Sequence, residues 1–208
     1  MADRDLKYEV VKLAETGCRG NCKDFAAWLT PNEEPIALEA MEDVLRNLVQ
    51  EGVFTSYPEY YQEYSLNAQP AFDDSIEYVM SGRLTYSPIQ LVRSRLESFL
   101  KYHGAGEEDI MDVTIGTTEA MENAVKYSDL SKEIRVTYSL KDMLFEITII
   151  NSINKTTPEA DIINDKYNRT LMRGVMVMTK LFDVMTIDYL EDTEDWAVFK
   201  AQKKITPA

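Results

Sequence analysis

The chain has 208 residues, of which 45% are hydrophobic and 28% charged, so it suits one large globular domain or two small ones. Its formal net charge of −14 opposes binding to nucleic-acid phosphates or anionic lipids, and no apolar run is long enough to span a membrane. The charged N-terminus lacks the apolar run of a secretory signal, so we expect a cytoplasmic protein.

Residues 1–66 predict three helices followed by a hairpin. Apolar residues recur at helical spacing in three segments: residues 5–16, 22–30 and 36–50. Gly52 ends the third of them, and residues 53–66 are rich in aromatic and β-forming residues around a Pro-containing centre, which is typical of a two-stranded hairpin. This order resembles a small winged-helix domain. The polar residues 67–74 that follow predict a linker.

The charge of residues 1–66 argues against DNA binding by this domain. A winged helix commonly reads DNA with basic and amide side chains of its third helix. Here the segment has 13 acidic and 6 basic side chains, and Arg46 is the single base on the third helix. Because cation–phosphate attraction normally supplies most of the affinity, we expect protein docking or dimerisation instead. The hairpin tyrosines either serve that interface or pack the hairpin onto the helices.

Cys18 and Cys22 lie in the sequence GCRGNC without a second cysteine or histidine cluster nearby. A structural zinc site needs four such ligands, so this pair does not predict one. We expect two free or partly buried thiols, with a redox pair as the alternative.

Residues 75–208 have a different order of elements. Ser87 and Pro88 open one predicted helix, and the next has an inner stripe of small and apolar residues: Ile110, Val113, Thr117, Ala120 and Ala124. The predicted strands cover residues 75–85, 133–140, 143–151, 184–190 and 195–204, and the last helix covers residues 171–183. This order predicts an α+β fold, an α/β sandwich with helices on one face of a mostly antiparallel sheet.

The second helix of this region contains the sequence EAMENAV, with Glu119 and Asn123 four positions apart and therefore on one helical face. With this order of elements, the motif resembles the N-box of the GHKL ATPase superfamily, and most closely the bacterial anti-sigma-factor serine kinases. The resemblance covers residues 75–205. It implies that Glu119 is a general base and that Asn123 is a Mg²⁺ ligand beside the phosphates of ATP.

The two glycine motifs of that family are degenerate here. Asn151 stands where the family has an aspartate that binds adenine, and Ile153 and Lys155 stand where it has glycines. In the second motif Gly174 matches one glycine and Met172 replaces the other.

Three residues in these motifs bear on nucleotide binding. Asn151 can offer adenine a neutral oxygen, and Arg173 either binds phosphate or is a plain surface residue. A methionine at position 172 would crowd phosphate at a helix N-terminus. We therefore expect the binding of ATP and Mg²⁺ to be weakened or lost.

The leading prediction is a cytoplasmic regulator of the anti-sigma, partner-switching type, whose partner is a sigma factor or an anti-sigma antagonist. The resemblance also implies a homodimer. One alternative is an active ATP- and Mg²⁺-dependent serine/threonine protein kinase, and another is a DNA-binding winged-helix regulator with a sensor domain. The methionines near the second glycine motif either pack in the core or form an adaptable partner surface: Met172, Met176, Met178 and Met185.

Overall fold

The computed structural model describes residues 5–30, 35–60, 62–68, 70–81, 87–128, 133–152, 165–189 and 196–208, with the backbone alone at residues 60, 81, 87 and 165–172. Ile153 and Lys155 lie outside the described residues, and so does the side chain of Met172. The chain divides into two compact units. Unit 1 comprises Met1–Ala71 and Tyr86–Tyr102, and unit 2 comprises Phe72–Thr85 and His103–Ala208.

Unit 1 contains the predicted three helices and hairpin. Its elements are α1 (Leu6–Ala14), α2 (Cys22–Trp28), α3 (Leu38–Gln50), β1 (Phe54–Tyr57), β2 (Glu63–Leu66) and α4 (Ser87–Tyr102). The antiparallel pairing of β1 with β2 confirms the hairpin. Phe25 contacts the rings of both Trp28 and Phe54 in the core, so α2 and the hairpin share one apolar cluster.

Gly20 joins the connection between α1 and α2 to the hairpin. Its N–H donates to the carbonyl of Tyr64 over 3.3 Å, and the N–H of Tyr64 donates back over 2.7 Å. A Cβ at position 20 would lie 2.5 Å from the Trp28 ring, so only glycine fits at this approach. Burial raises the pKa of the nearby Cys18 thiol to about 12 and that of Cys22 to about 11, so both are protonated thiols at neutral pH.

The two units differ from the predicted domains, residues 1–66 and 75–208, in the placement of α4. Three side chains of α4 bond to the turn after α1. Ser98 Oγ donates to the Gly17 carbonyl over 2.7 Å, Gln90 Nε2 to the Arg19 carbonyl over 3.4 Å, and Arg95 Nε to Thr16 Oγ1 over 2.8 Å. These bonds join positions more than 70 residues apart, so local sequence patterns did not show them.

Unit 2 is a mixed α+β structure around a five-stranded antiparallel sheet, as the sequence predicted. Its elements are β3 (Ser75–Ser81), α5 (Glu107–Tyr127), β4 (Glu133–Lys141), β5 (Leu144–Ser152), α6 (Asp165–Leu181), β6 (Val184–Tyr189) and β7 (Trp196–Lys204). The strand order is β3-β4-β5-β7-β6, and every pairing is antiparallel. The β4–β5 turn lies at Asp142 and Met143, one residue beyond the predicted Lys141–Asp142, and both have positive φ.

Alternate residues of β4 and β5 are buried, so one face of the sheet is covered. The predicted inner stripe of α5 is confirmed, because all five of its residues are buried. None of the helices in the described segments is both long and apolar enough to cross a membrane.

An ion-pair cluster joins the start of α5 to the end of β7. Lys203 Nζ lies 3.4 Å from Asp109 Oδ1 and 3.1 Å from Asp112 Oδ2, and the Lys203 side chain is 13% exposed. Burial lowers the pKa of Lys203, but the hydrogen bonds and charges of Asp112 and Asp109 outweigh it, so this pKa lies above its ordinary value of 10.5. The stabilisation that the ion pairs of protonated Lys203 give the fold is therefore fully present below pH 10.5, and it is lost as the pH rises through the higher folded-state pKa.

Lys203→Met removes the cation and leaves the two aspartates without it. We expect the free energy of unfolding to fall by about 2 kcal/mol at neutral pH, below the cost for a fully buried pair because the site retains some exposure. Urea denaturation measures this change, and it should shrink as the pH rises from 10.5 through the higher pKa of Lys203 in the folded wild type. Lys200→Met, on the exposed side of β7, is the matched control. Equal stability of wild type and Lys203→Met at neutral pH would contradict the assignment.

Candidate functional site

The α5 helix places Glu119 and Asn123 side by side. Its first turn carries Glu107, Glu108 and Asp109, whose charges suit the positive end of the helix dipole. Ala120 and Ala124 are buried beneath the pair, while Glu119 and Asn123 themselves are half-buried. The small, buried alanines let this part of α5 pack closely.

Gly174 of α6 lies against both head groups. A Cβ added there would be 3.0 Å from Glu119 Oε2 and 3.5 Å from Asn123 Nδ2. The structure therefore brings together three of the predicted site residues, from positions more than 50 residues apart. The carboxylate and the amide lie close to α6 at the one residue of that helix that has no side chain.

The conformation of Gly174 differs from the one that the sequence suggested. We expected the last helix to begin at Leu171, with Gly174 in its first turn, where backbone amides are free to bind phosphate. Instead α6 begins at Asp165, which places Gly174 in the helix interior. Only the first four N–H groups of a helix lack a partner within it, so the Gly174 amide is not among the free donors. Arg173 is exposed.

Asn151 lies near the end of β5 on the covered face of the sheet. It is 7% exposed, pairs with Ile134 on one side and Ala197 on the other, and donates from Nδ2 to the Ser152 carbonyl over 3.0 Å. The amide group is thus partly engaged by the protein itself.

The partners of several residues on and beside α5 gave no sequence signal. Thr114 and Thr117 are buried, and their Oγ1 atoms have no hydrogen-bond partner within the described part of the chain. A Cβ on Gly116 would lie 2.4 Å from the Phe182 ring, so α5 also approaches the end of α6 closely. Helical periodicity marked Thr117 as inward-facing, but it could not show which partner meets each position.

The sequence matches the profile of the histidine kinase-like ATPase domain over residues 84–198, more than half of the chain. This protein belongs to the histidine kinase-like ATPase family. No curated protein matches the sequence.

A solved structure, that of the RsbU and RsbW domains of Rv1364c from Mycobacterium tuberculosis, has a similar fold. The likeness covers 82% of this chain and 41% of that one, at 19% sequence identity and a TM-score of 0.50. This chain thus spans less than half the length of the solved chain.

Membership of this ATPase family implies ATP and Mg²⁺, and three observations in the described residues bear on how the pair would fit. Mg²⁺ takes near-octahedral oxygen ligands, yet Glu119 and Asn123 lie against the α6 backbone. No group of three or more His, Cys, Asp or Glu side chains in the described segments could hold a metal ion. The glycine expected to offer an amide to phosphate is inside a helix.

Gly174→Ala tests whether this residue is helical. Alanine in a helix interior is favoured over glycine by up to about 1 kcal/mol, while the tip of Glu119 must move by a few tenths of an ångström. We therefore expect the free energy of unfolding to rise by about 0.5 kcal/mol, measured by urea denaturation. In a Glu119→Ala background, where no carboxylate has to move, Gly174→Ala should raise the free energy of unfolding by the full difference of up to about 1 kcal/mol. If Gly174 were instead in a phosphate-binding turn with positive φ, alanine would destabilise the protein by more than about 1 kcal/mol.

Proposed function

We propose that the chain is a regulatory protein of the anti-sigma, partner-switching type, which acts by binding another protein, and that its binding of ATP and Mg²⁺ is weakened or lost. The partner in this proposal is a sigma factor or an anti-sigma antagonist. The family membership and the likeness in fold to a structure that contains an RsbW domain support the choice of class.

The observation that carries the proposal is the contact of Gly174 with Glu119 and Asn123. In a working phosphoryl-transfer site these two side chains would hold a metal ion and accept a proton from the attacking hydroxyl. Here the α6 backbone lies against both groups. What remains of the family's function without a nucleotide is the recognition of another protein.

Exposed apolar side chains on the helices of unit 2 support protein binding. Met111 and Ile115 follow each other at i and i+4 on α5 and are 56% and 43% exposed, and Met176 on α6 is 58% exposed. Methionine adapts well to partner surfaces. The methionines near the second glycine motif therefore differ in burial, since Met178 is in the core while Met176 is exposed.

The DNA-binding alternative gains no support from unit 1. Arg46, the single base of α3, lies 3.1 Å from Asp43, and Lys7 lies 2.6 Å from Glu51 at the end of the same helix. Cations already paired with carboxylates are poorly placed to neutralise phosphates. The homodimer implied by the resemblance stays a prediction, which sedimentation of the purified chain would test.

Calorimetric titration with Mg-ATP distinguishes the proposal from the kinase alternative. We expect no saturable heat up to about 1 mM nucleotide, the concentration at which a binding free energy near −4 kcal/mol would be detected. Asn123→Ala is the matched control, because it removes the candidate Mg²⁺ ligand. Saturable binding that this substitution weakens would support an active kinase and sink the proposal.

Partner capture from the native cell extract tests the second half of the proposal. The same protein should be retained with and without Mg-ATP, because nucleotide has no part in the contact. Ile115→Glu should reduce capture at least tenfold, since a charge within an apolar interface is costly. Glu122→Gln, on an exposed position of the same helix, is the control and should leave capture unchanged. Capture that requires Mg-ATP would favour the kinase.

A further inference from the structure

Unit 1 holds a cavity of about 170 Å³. Its walls come from the turn after α1, the β1–β2 hairpin with the residues that follow it, and α4. A cavity of roughly 150 Å³ is known to admit benzene, which has six heavy atoms. This one therefore suits a molecule of roughly six to nine heavy atoms, smaller than a nucleotide.

The α4 wall is polar along its whole length. Four residues of α4 line the cavity: Ser94, Glu97, Ser98 and Lys101. Their spacing of i, i+3, i+4 and i+7 places them on one helical face. Ser94 is only 4% exposed. Burying polar groups costs free energy unless they find partners, so a polar stripe that faces into the unit is better matched to a polar ligand than to apolar packing.

One part of this wall accepts hydrogen bonds. Ser98 Oγ donates its proton to the Gly17 carbonyl over 2.7 Å, and Ser94 Oγ donates to the Leu91 carbonyl over 3.3 Å. Each hydroxyl oxygen therefore offers only lone pairs to a ligand. Glu97 adds a carboxylate, one oxygen of which lies 3.2 Å from Arg93 Nε. Two acceptor hydroxyls and a carboxylate suit a ligand ammonium group.

The other part of the wall carries positive charge and a donor. Lys101 lines the cavity and has no carboxylate partner among the residues that the structure describes, because its i−4 neighbour Glu97 pairs with Arg93. Arg19 lies over the Tyr57 ring at 5.7 Å, with its Nε 2.7 Å from Glu63. The Tyr57 hydroxyl accepts from Ser65 Oγ, so its own proton can go to a ligand. These groups suit a carboxylate.

We propose that this cavity binds a small zwitterion, an α-amino acid of roughly six to nine heavy atoms. Its ammonium group lies against Ser94, Glu97 and Ser98. Its carboxylate lies toward Lys101, with Arg19 and Tyr57 on the opposite wall. The ligand contacts α4, the first helix of the region that matches the ATPase family.

Thermal denaturation of the full chain tests the proposal, with each of the twenty proteinogenic amino acids added at about 10 mM. At a concentration about tenfold above Kd, bound ligand should raise Tm by about 3 °C. The N-acetyl and methyl-ester derivatives of the amino acid that binds lack one charge each and should give less than half of that shift. No shift with any amino acid would overturn the proposal. An undiminished shift with either derivative would show that the site binds a simple anion or amine instead.

Substitutions at the two charged groups locate the site. Glu97→Gln and Lys101→Gln should each weaken calorimetric binding of the amino acid at least tenfold, because each removes one ion pair with the ligand. The Glu97 side chain is 21% exposed and Lys101 is exposed, and glutamine is close in size to both, so the variants should fold. The matched controls are Glu15→Gln and Lys12→Gln, whose side chains pair with each other away from the cavity. Unchanged affinity in both cavity variants would overturn the assignment.

Discussion

The close approach of α5 and α6 is the constraint on which the candidate site of unit 2 depends. A glycine on each helix allows it: Gly116 of α5 lies under the Phe182 ring, and Gly174 of α6 lies against Glu119 and Asn123. Since position 116 meets 182 while 119 and 123 meet 174, the two helices run antiparallel. A Cβ at position 116 would overlap the Phe182 ring and force a shift, whereas a Cβ at position 174 would displace only the tip of the flexible Glu119 side chain.

This contact bears on the chemistry available to Glu119 and Asn123 in the N-box-like sequence. A carboxylate and an amide on one helical face can hold Mg²⁺ only if space for the ion and its phosphates lies in front of them. Here Gly174 of α6 lies on that side, close to both head groups, and the amides of the α6 interior are bonded within the helix. The same residues that would perform phosphoryl transfer in a nucleotide site therefore lie beside a neighbouring helix. In the proposed function, the exposed apolar residues Met111, Ile115 and Met176 of these helices form the surface for a partner.

The order of the elements could be predicted because it follows from local patterns. Periodicity of 3.6 residues marked α5 and its inner stripe, and alternation marked β4 and β5. The N-terminal end of α6 could not be placed in the same way, since the polar residues from Asp165 onwards have no apolar stripe that distinguishes a helix from a loop. The Lys203 cluster was also missed, because its members are more than 90 residues apart.

The amino-acid sequence by itself determined the helices and strands, the shared face of Glu119 and Asn123, and the acidic charge that disfavours nucleic acid, because each depends on neighbouring residues or on totals. Only the tertiary structure decided that Gly174 lies inside a helix against that pair, that α4 bonds to the turn after α1, and that a polar cavity lies beside it. Each of these depends on distances between segments far apart in the chain, and such distances follow from packing rather than from any local pattern.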